Sequence, residues 1–107
     1  MTFINAMVLS LYLSAPIVTL AQANIESTCN IYAKGDNGRS HGAFQVQTRY
    51  WGNVPDTFIE QARQCEKIRL SLDTNIWAAV QKYNGTGKKS KKYLWKVQRE
   101  TIRIALM

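Results

Sequence analysis

The chain has 107 residues, of which 46% are hydrophobic and 20% charged, with a formal net charge of +7 and a pI near 9.7. That length excludes two independent domains and leaves a modest core, so a covalent staple or a tight helical bundle would help it hold together. The basic balance favours an anionic partner, whether a cell-wall polymer, a nucleic acid or a membrane surface, and sign alone does not choose among them.

Met1 to Ala23 is apolar and carries no charge. Two helices are expected here: Phe3 to Leu13, and a second that opens at Ser14-Ala15-Pro16 and runs to about Ser27, because proline is accommodated in the first turn of a helix. A retained or releasable membrane segment and a cleaved signal ending at Ala21-Gln22-Ala23 stay open as alternatives. Against the signal stand the late first basic residue, Lys34, and the loss of the helix leading into Glu26 if the chain were cut after Ala23. On that helix Ile17, Val18, Leu20, Ala21 and Ile25 form an apolar wall beside Glu26, where desolvation disfavours an ionised carboxylate.

Residues 28–51 are polar and glycine-punctuated. Gly35-Asp36-Asn37-Gly38 is a turn-forming run that would keep Asp36 solvated and ionised. The brief alternation at Phe44, Val46 and Thr48 predicts a short hairpin or loops with little regular sheet. His41, the single histidine, lacks partners at metal-ligand spacing and is expected to be a loop residue.

Asn53-Val54-Pro55-Asp56 predicts a turn into a helix over about 55–70 with Phe58, Ala62, Cys65 and Ile68 or Arg69 on one face, so that Cys65 points inward. The other cysteine is Cys29. Two cysteines in a small basic chain suggest a disulfide if it works outside the cytosol, worth about 3–4 kcal/mol by loop entropy; two buried free thiols are the alternative. Leu72-Asp73-Thr74-Asn75 caps a further helix through Ile76, Trp77, Ala79 and Val80, which stops at Tyr83-Asn84-Gly85 because glycine suits the position just past a helix. A basic turn over 85–90 leads to a last helix, about 90–105, expected to return Tyr93, Leu94, Val97, Ile102 and Ala105 to the core. Its basic residues, Lys88, Lys89, Lys91, Lys92, Lys96, Arg99 and Arg103, form either a solvated face or a patch for anionic wall polymers. A nucleic-acid module would need stacking aromatics on an exposed platform.

Two carboxylates in contrasting settings, Glu26 apolar and Asp36 solvated, are what cleavage of a glycosidic bond requires: one held protonated to release the leaving oxygen, one held ionised. Three ordered motifs, Glu26-Ser27, Gly42-Ala43-Phe44-Gln45-Val46 and Tyr83-Asn84-Gly85, resemble the signature of the lysozyme-like superfamily, specifically the soluble lytic transglycosylases, over about residues 15–100. Glu26-Ser27-Thr28-Cys29, Asp36-Asn37-Gly38, the Gly42–Val46 block and Tyr50-Trp51 are also similar to invertebrate-type lysozymes, as is Asn84-Gly85 followed by Lys88-Lys89 and Tyr93.

The resemblance implies a mainly α, lysozyme-like single domain over residues 1–107, with a short hairpin or loop region flanking a cleft that cleaves the MurNAc–GlcNAc β-1,4 bond of peptidoglycan. It implies that Glu26 is acid and base, that Gln45 lines the sugar groove, that Tyr83 orients Glu26 and that Asn84 shapes the adjoining turn. The invertebrate-type likeness would give Asp36 a part in hydrolysis. No cofactor or metal is expected. The expected partners are glycan strands, with anionic wall polymers and membrane contact through residues 1–23 as further options, nucleic acid disfavoured, and a monomer acting in the periplasm or outside the cell. The compact size resembles a phage lysis or wall-penetrating enzyme, or a secretion-associated one. The competing class is a non-catalytic wall-binding or nucleic-acid-binding module on the same scaffold.

Overall fold

A computed structural model describes residues 10–85 and 87–107. Five helices and a small antiparallel sheet follow in order: α1 (Pro16–Ser27), β1 (Lys34–Gly35), a 3-10 turn (Asp36–Gly38), β2 (Ser40–His41), β3 (Val46–Gln47), α2 (Thr48–Trp51), α3 (Phe58–Leu72), α4 (Ile76–Tyr83) and α5 (Lys88–Ala105). The architecture is mainly α, as the sequence predicts, and the sheet is as slight as expected. Its strands run β1-β2-β3, with Gly35 opposite Ser40 and His41 opposite Val46. The helix expected at Phe3 to Leu13 lies mostly outside the described residues.

The central element is α1. Residues Thr19, Leu20, Ala21, Gln22 and Ala23 are all buried, so this helix is covered on every side, with α5 and α3 as its main neighbours. Pro16 opens it, yet no side chain of its own caps it. The exposed amides are met from elsewhere: the Glu66 carboxylate of α3 accepts from the Ser14 amide at 3.0 Å, the Ala15 amide at 2.8 Å and the Thr19 hydroxyl at 3.2 Å. A negative charge at a helix N-terminus is favourable there. Burying that charge would be costly alone, and Arg69 offsets it with a guanidinium nitrogen 3.3 Å from the same carboxylate. At its other end α1 stops without glycine; Thr28 adopts a left-handed conformation, φ 57°, and the Cys29 amide donates to Ala23 O at 3.1 Å.

The rest of the core closes on α1. Phe44, carried by the loop between β2 and β3, is fully buried and meets Phe58 with ring centroids 5.6 Å apart. Ala62, Cys65 and Ile68 of α3, Val80 of α4, and Tyr93, Val97 and Ile104 of α5 complete the cluster. Cleavage after Ala23 would delete its central helix, and among the described residues no helix is long and apolar enough to cross a membrane.

Three expectations need correction. The cysteines do not pair: both are free thiols, Cys29 turned toward Asn24 Oδ1 at 3.7 Å and Cys65 toward Gln22 Oε1 at 3.5 Å. They sit on different faces of α1, so the core closes around Cys65 without a staple. Second, α5 starts at Lys88 and buries Ser90, Tyr93, Val97 and Ile104, whereas Ile102 is 60% exposed and Ala105 is exposed as well. The helical register that seats Tyr93 and Val97 carries Ile102 outward. Third, α3 begins at Phe58, because Thr57 caps it, accepting from the Glu60 amide at 3.2 Å while its hydroxyl meets the Glu60 side chain at 2.9 Å.

Candidate active site

Glu26 lies in the last turn of α1, four residues after Gln22 and therefore on the same helix face. That face looks into a cleft of about 390 Å³ whose walls include Glu26, Asp36, Gln45, Tyr83 and Asn84, the five residues singled out from the sequence. Ile68 and Leu72 supply an apolar floor and Trp51 stands at the rim. A neighbouring concavity of about 640 Å³ shares Asp36 and Gln47 with it, so the trench continues past the turn.

Burial pushes the Glu26 carboxyl from the ordinary 4.5 up to about 7; a hydrogen bond from Tyr93 opposes the rise, and the negative charge of Asp36 adds to it. Hence much of the population carries a proton at neutral pH. Tyr93 is held for this contact. Its hydroxyl accepts from Gln22 Nε2 at 2.9 Å, and Gln22 Oε1 is in turn fixed by Arg69 at 2.8 Å. With the amide supplying a donor, the phenol turns its own proton toward Glu26, and burial raises the Tyr93 pKa well above the ordinary range so that the proton stays in place. Glu66, Arg69, Gln22 and Tyr93 thus form one buried polar chain ending at the acid. The sequence points only to a core position for Tyr93. The i,i+4 spacing of Gln22 and Glu26 was the available signal.

Tyr83 lines the same cleft as Glu26. Its hydroxyl donates to Phe44 O at 2.8 Å and is not spent on Glu26. On the opposite side the Ser27 hydroxyl donates to Ala43 O at 2.8 Å. Two successive carbonyls of the β2–β3 loop are therefore clamped, one by the residue next to the acid and one by the end of α4. This explains why a serine follows Glu26 and a tyrosine precedes Asn84.

Gln45 sits in that clamped loop with φ 50°, a left-handed conformation in a residue with a Cβ, stabilised by its side-chain amide donating to Gly42 O at 3.0 Å. Gly42 has φ 82°, and a Cβ there would come within 2.8 Å of both Gln61 Oε1 and Val54 Cγ1. All described non-glycine residues with positive φ, Thr28, Cys29, Asp36, Asn37 and Gln45, lie between α1 and β3. Strained backbone of this kind, typically about 1–3 kcal/mol per residue, gathers at sites whose geometry is held by the surrounding fold. Asp36 uses its left-handed turn to accept from the Ser40 hydroxyl at 2.6 Å while remaining exposed in the cleft.

Comparisons with protein-family models, curated proteins and solved structures find no match.

The chemistry available is therefore read from the residues. The cleft holds one carboxyl with a proton to give, a second carboxylate in water, and neutral amides at Gln45, Gln47 and Asn84 able to bind hydroxyl and acetamido groups. No thiol competes for the role of nucleophile: burial raises the pKa of Cys29 and pushes Cys65 up to about 12. Among the described residues no three His, Cys, Asp or Glu side chains gather as a metal site.

Proposed function

We propose that this protein is a glycosidase that cleaves the β-1,4 bond between N-acetylmuramic acid and N-acetylglucosamine in peptidoglycan, with Glu26 as its general acid. The observation that carries the reading is the carboxyl held near pH 7 by burial inside a polar cleft that a second carboxylate shares. Glu26 gives its proton to the glycosidic oxygen as that bond breaks, and positive charge develops at the muramoyl anomeric carbon. The new Glu26 carboxylate then serves as base. If it takes the proton of the muramoyl C6 hydroxyl, the oxygen closes on the anomeric carbon and the product is an anhydro sugar. If it takes a proton from water while Asp36 stabilises the cationic ring, the product is a reducing sugar.

The elongated trench suits a polymer entering from either side, and Trp51, 43% exposed at the rim, offers a flat surface for a sugar face. Substrate identity rests on the resemblance of the three ordered motifs. Action in the periplasm or outside the cell, as in phage lysis, follows from that substrate.

The test is mass analysis of the muropeptides released from purified peptidoglycan by the wild-type chain and by Glu26→Gln. Released fragments, one water lighter for the anhydro route, with none from the Gln variant, support the proposal. Equal release by both overturns the role of Glu26; release by neither favours a binding scaffold.

A further inference from the structure

Helix α5 has two unlike faces. One closes the core through Tyr93, Val97 and Ile104. The other carries seven Lys or Arg side chains against one acid, Glu100, so six of the chain's seven net positive charges sit on this one element. Set among them are large apolar groups: Trp95 is 58% exposed, Ile102 60% and Leu106 82%. At about 100° per residue Trp95 and Ile102 fall within about 20° of one another around the helix, opposite the buried face, and Leu106 follows at its C-cap. Arg99 lies on the same meridian, its guanidinium 5.2 Å from the centre of the Trp95 ring.

A solvated helix face has no use for that stripe. Singly exposed apolar residues are ordinary, but an aligned tryptophan, isoleucine and leucine bordered by lysines is the pattern of a helix that lies in the surface of a bilayer. Charge complementarity names the bilayer: the lysines would meet lipid phosphates while the indole occupies the interfacial layer, where tryptophan is enriched. The alternatives use only half of the surface. A nucleic acid or a phosphate-rich wall polymer would engage the cations and leave Ile102 and Leu106 in water. A base-stacking platform needs several open aromatic faces, and Trp95 is the one tryptophan on this helix, with Arg99 already over its ring.

We propose that the outward face of α5 is a docking surface for membranes bearing anionic phospholipids, with Trp95, Ile102 and Leu106 set into the interface and the lysines and arginines on the headgroups. The site is separate from the cleft and holds whether or not the chain is a glycosidase. It is also distinct from the face of α5 that packs against α1.

The full chain is sedimented with vesicles of phosphatidylcholine alone or mixed with phosphatidylglycerol, with and without bromine on the acyl chains. The expected result is binding at least about tenfold tighter with the anionic lipid and weakened by salt, with brominated chains quenching tryptophan emission in the wild type and the loss of that quenching in Trp95→Phe. Ile102→Asp, at a position 60% exposed, should weaken vesicle binding by about tenfold, the factor that accompanies burial of one such side chain, with the helical circular-dichroism signal of the wild type retained. Vesicle binding unchanged in Ile102→Asp overturns the proposal, because contact then runs through another part of the chain or through charge alone. Absence of preference for the anionic lipid, absence of acyl-chain quenching, or tighter binding to an oligonucleotide than to vesicles overturns it as well.

Discussion

Replacing Glu26 by Gln keeps the side chain's shape and removes one titration, so the pair of proteins isolates the buried acid from every other ionisable group. A carboxyl moved from 4.5 to about 7 prefers its neutral form in the folded chain by about 3.4 kcal/mol, at about 1.36 kcal/mol for each tenfold in proton affinity. The folded state holds this proton more tightly than the unfolded state. Its contribution is thus fully present below pH 4.5 and is lost as the pH rises through about 7. The Gln variant has no such loss. Urea unfolding at steps from about pH 4 to about pH 9 should show wild type minus variant stability falling by about 3 kcal/mol across that window and flat above it. In thermal scans at alkaline pH the variant should melt higher by about 12 °C, since each kcal/mol moves the midpoint of a domain this size by about 4 °C. A flat difference curve, or one that rises with pH, would refute the claim that burial governs this carboxyl.

Tyr93→Phe removes the hydrogen bond that opposes the rise of the Glu26 pKa; the alkaline limb of the pH–activity profile should move up, and stability should fall by about 1–3 kcal/mol because Gln22 Nε2 loses its acceptor. A limb that moves down would contradict the direction of that bond. Glu66→Ala leaves Arg69 buried without its partner and the first amides of α1 uncapped, an expected loss of about 3–5 kcal/mol that Arg69→Met should partly restore in the double variant; a loss below about 1 kcal/mol would sink it. Alkylation of the unreduced protein should label both cysteines once denatured and spare Cys65 in the native state; a bridged pair would resist labelling until reductant is added.

What was legible in the sequence was local. Pro16 marks the start of α1, Asn75 caps α4 by accepting from the Ala78 amide at 3.0 Å, and the run before Gly85 marks where α4 ends. The same local logic, had it been applied to Thr57 and Glu60, places the start of α3. The five candidate residues share one cleft because the fold brings their separate segments together. What stayed hidden depends on contacts between distant segments. Nothing near Ser14 announces that its amide is satisfied 52 residues away. Nothing near Tyr93 distinguishes a packed ring from one whose hydroxyl is pinned by Gln22, 71 residues earlier. The α5 face was misjudged for a different reason: Ile102 fits a helical core pattern on composition, and only the register imposed by Tyr93 and Val97 sends it outward.

Glu66 meeting the amides ahead of Pro16 has a bearing on how the molecule comes together. The segment bearing the acid precedes α3 in the chain, yet its opening turn has no partner of its own until the carboxylate of α3 arrives. The nascent segment would therefore gain a settled beginning only after the later half of the chain has docked. Enclosure of the Glu26 carboxyl is thereby tied to the docking of α3 against α1.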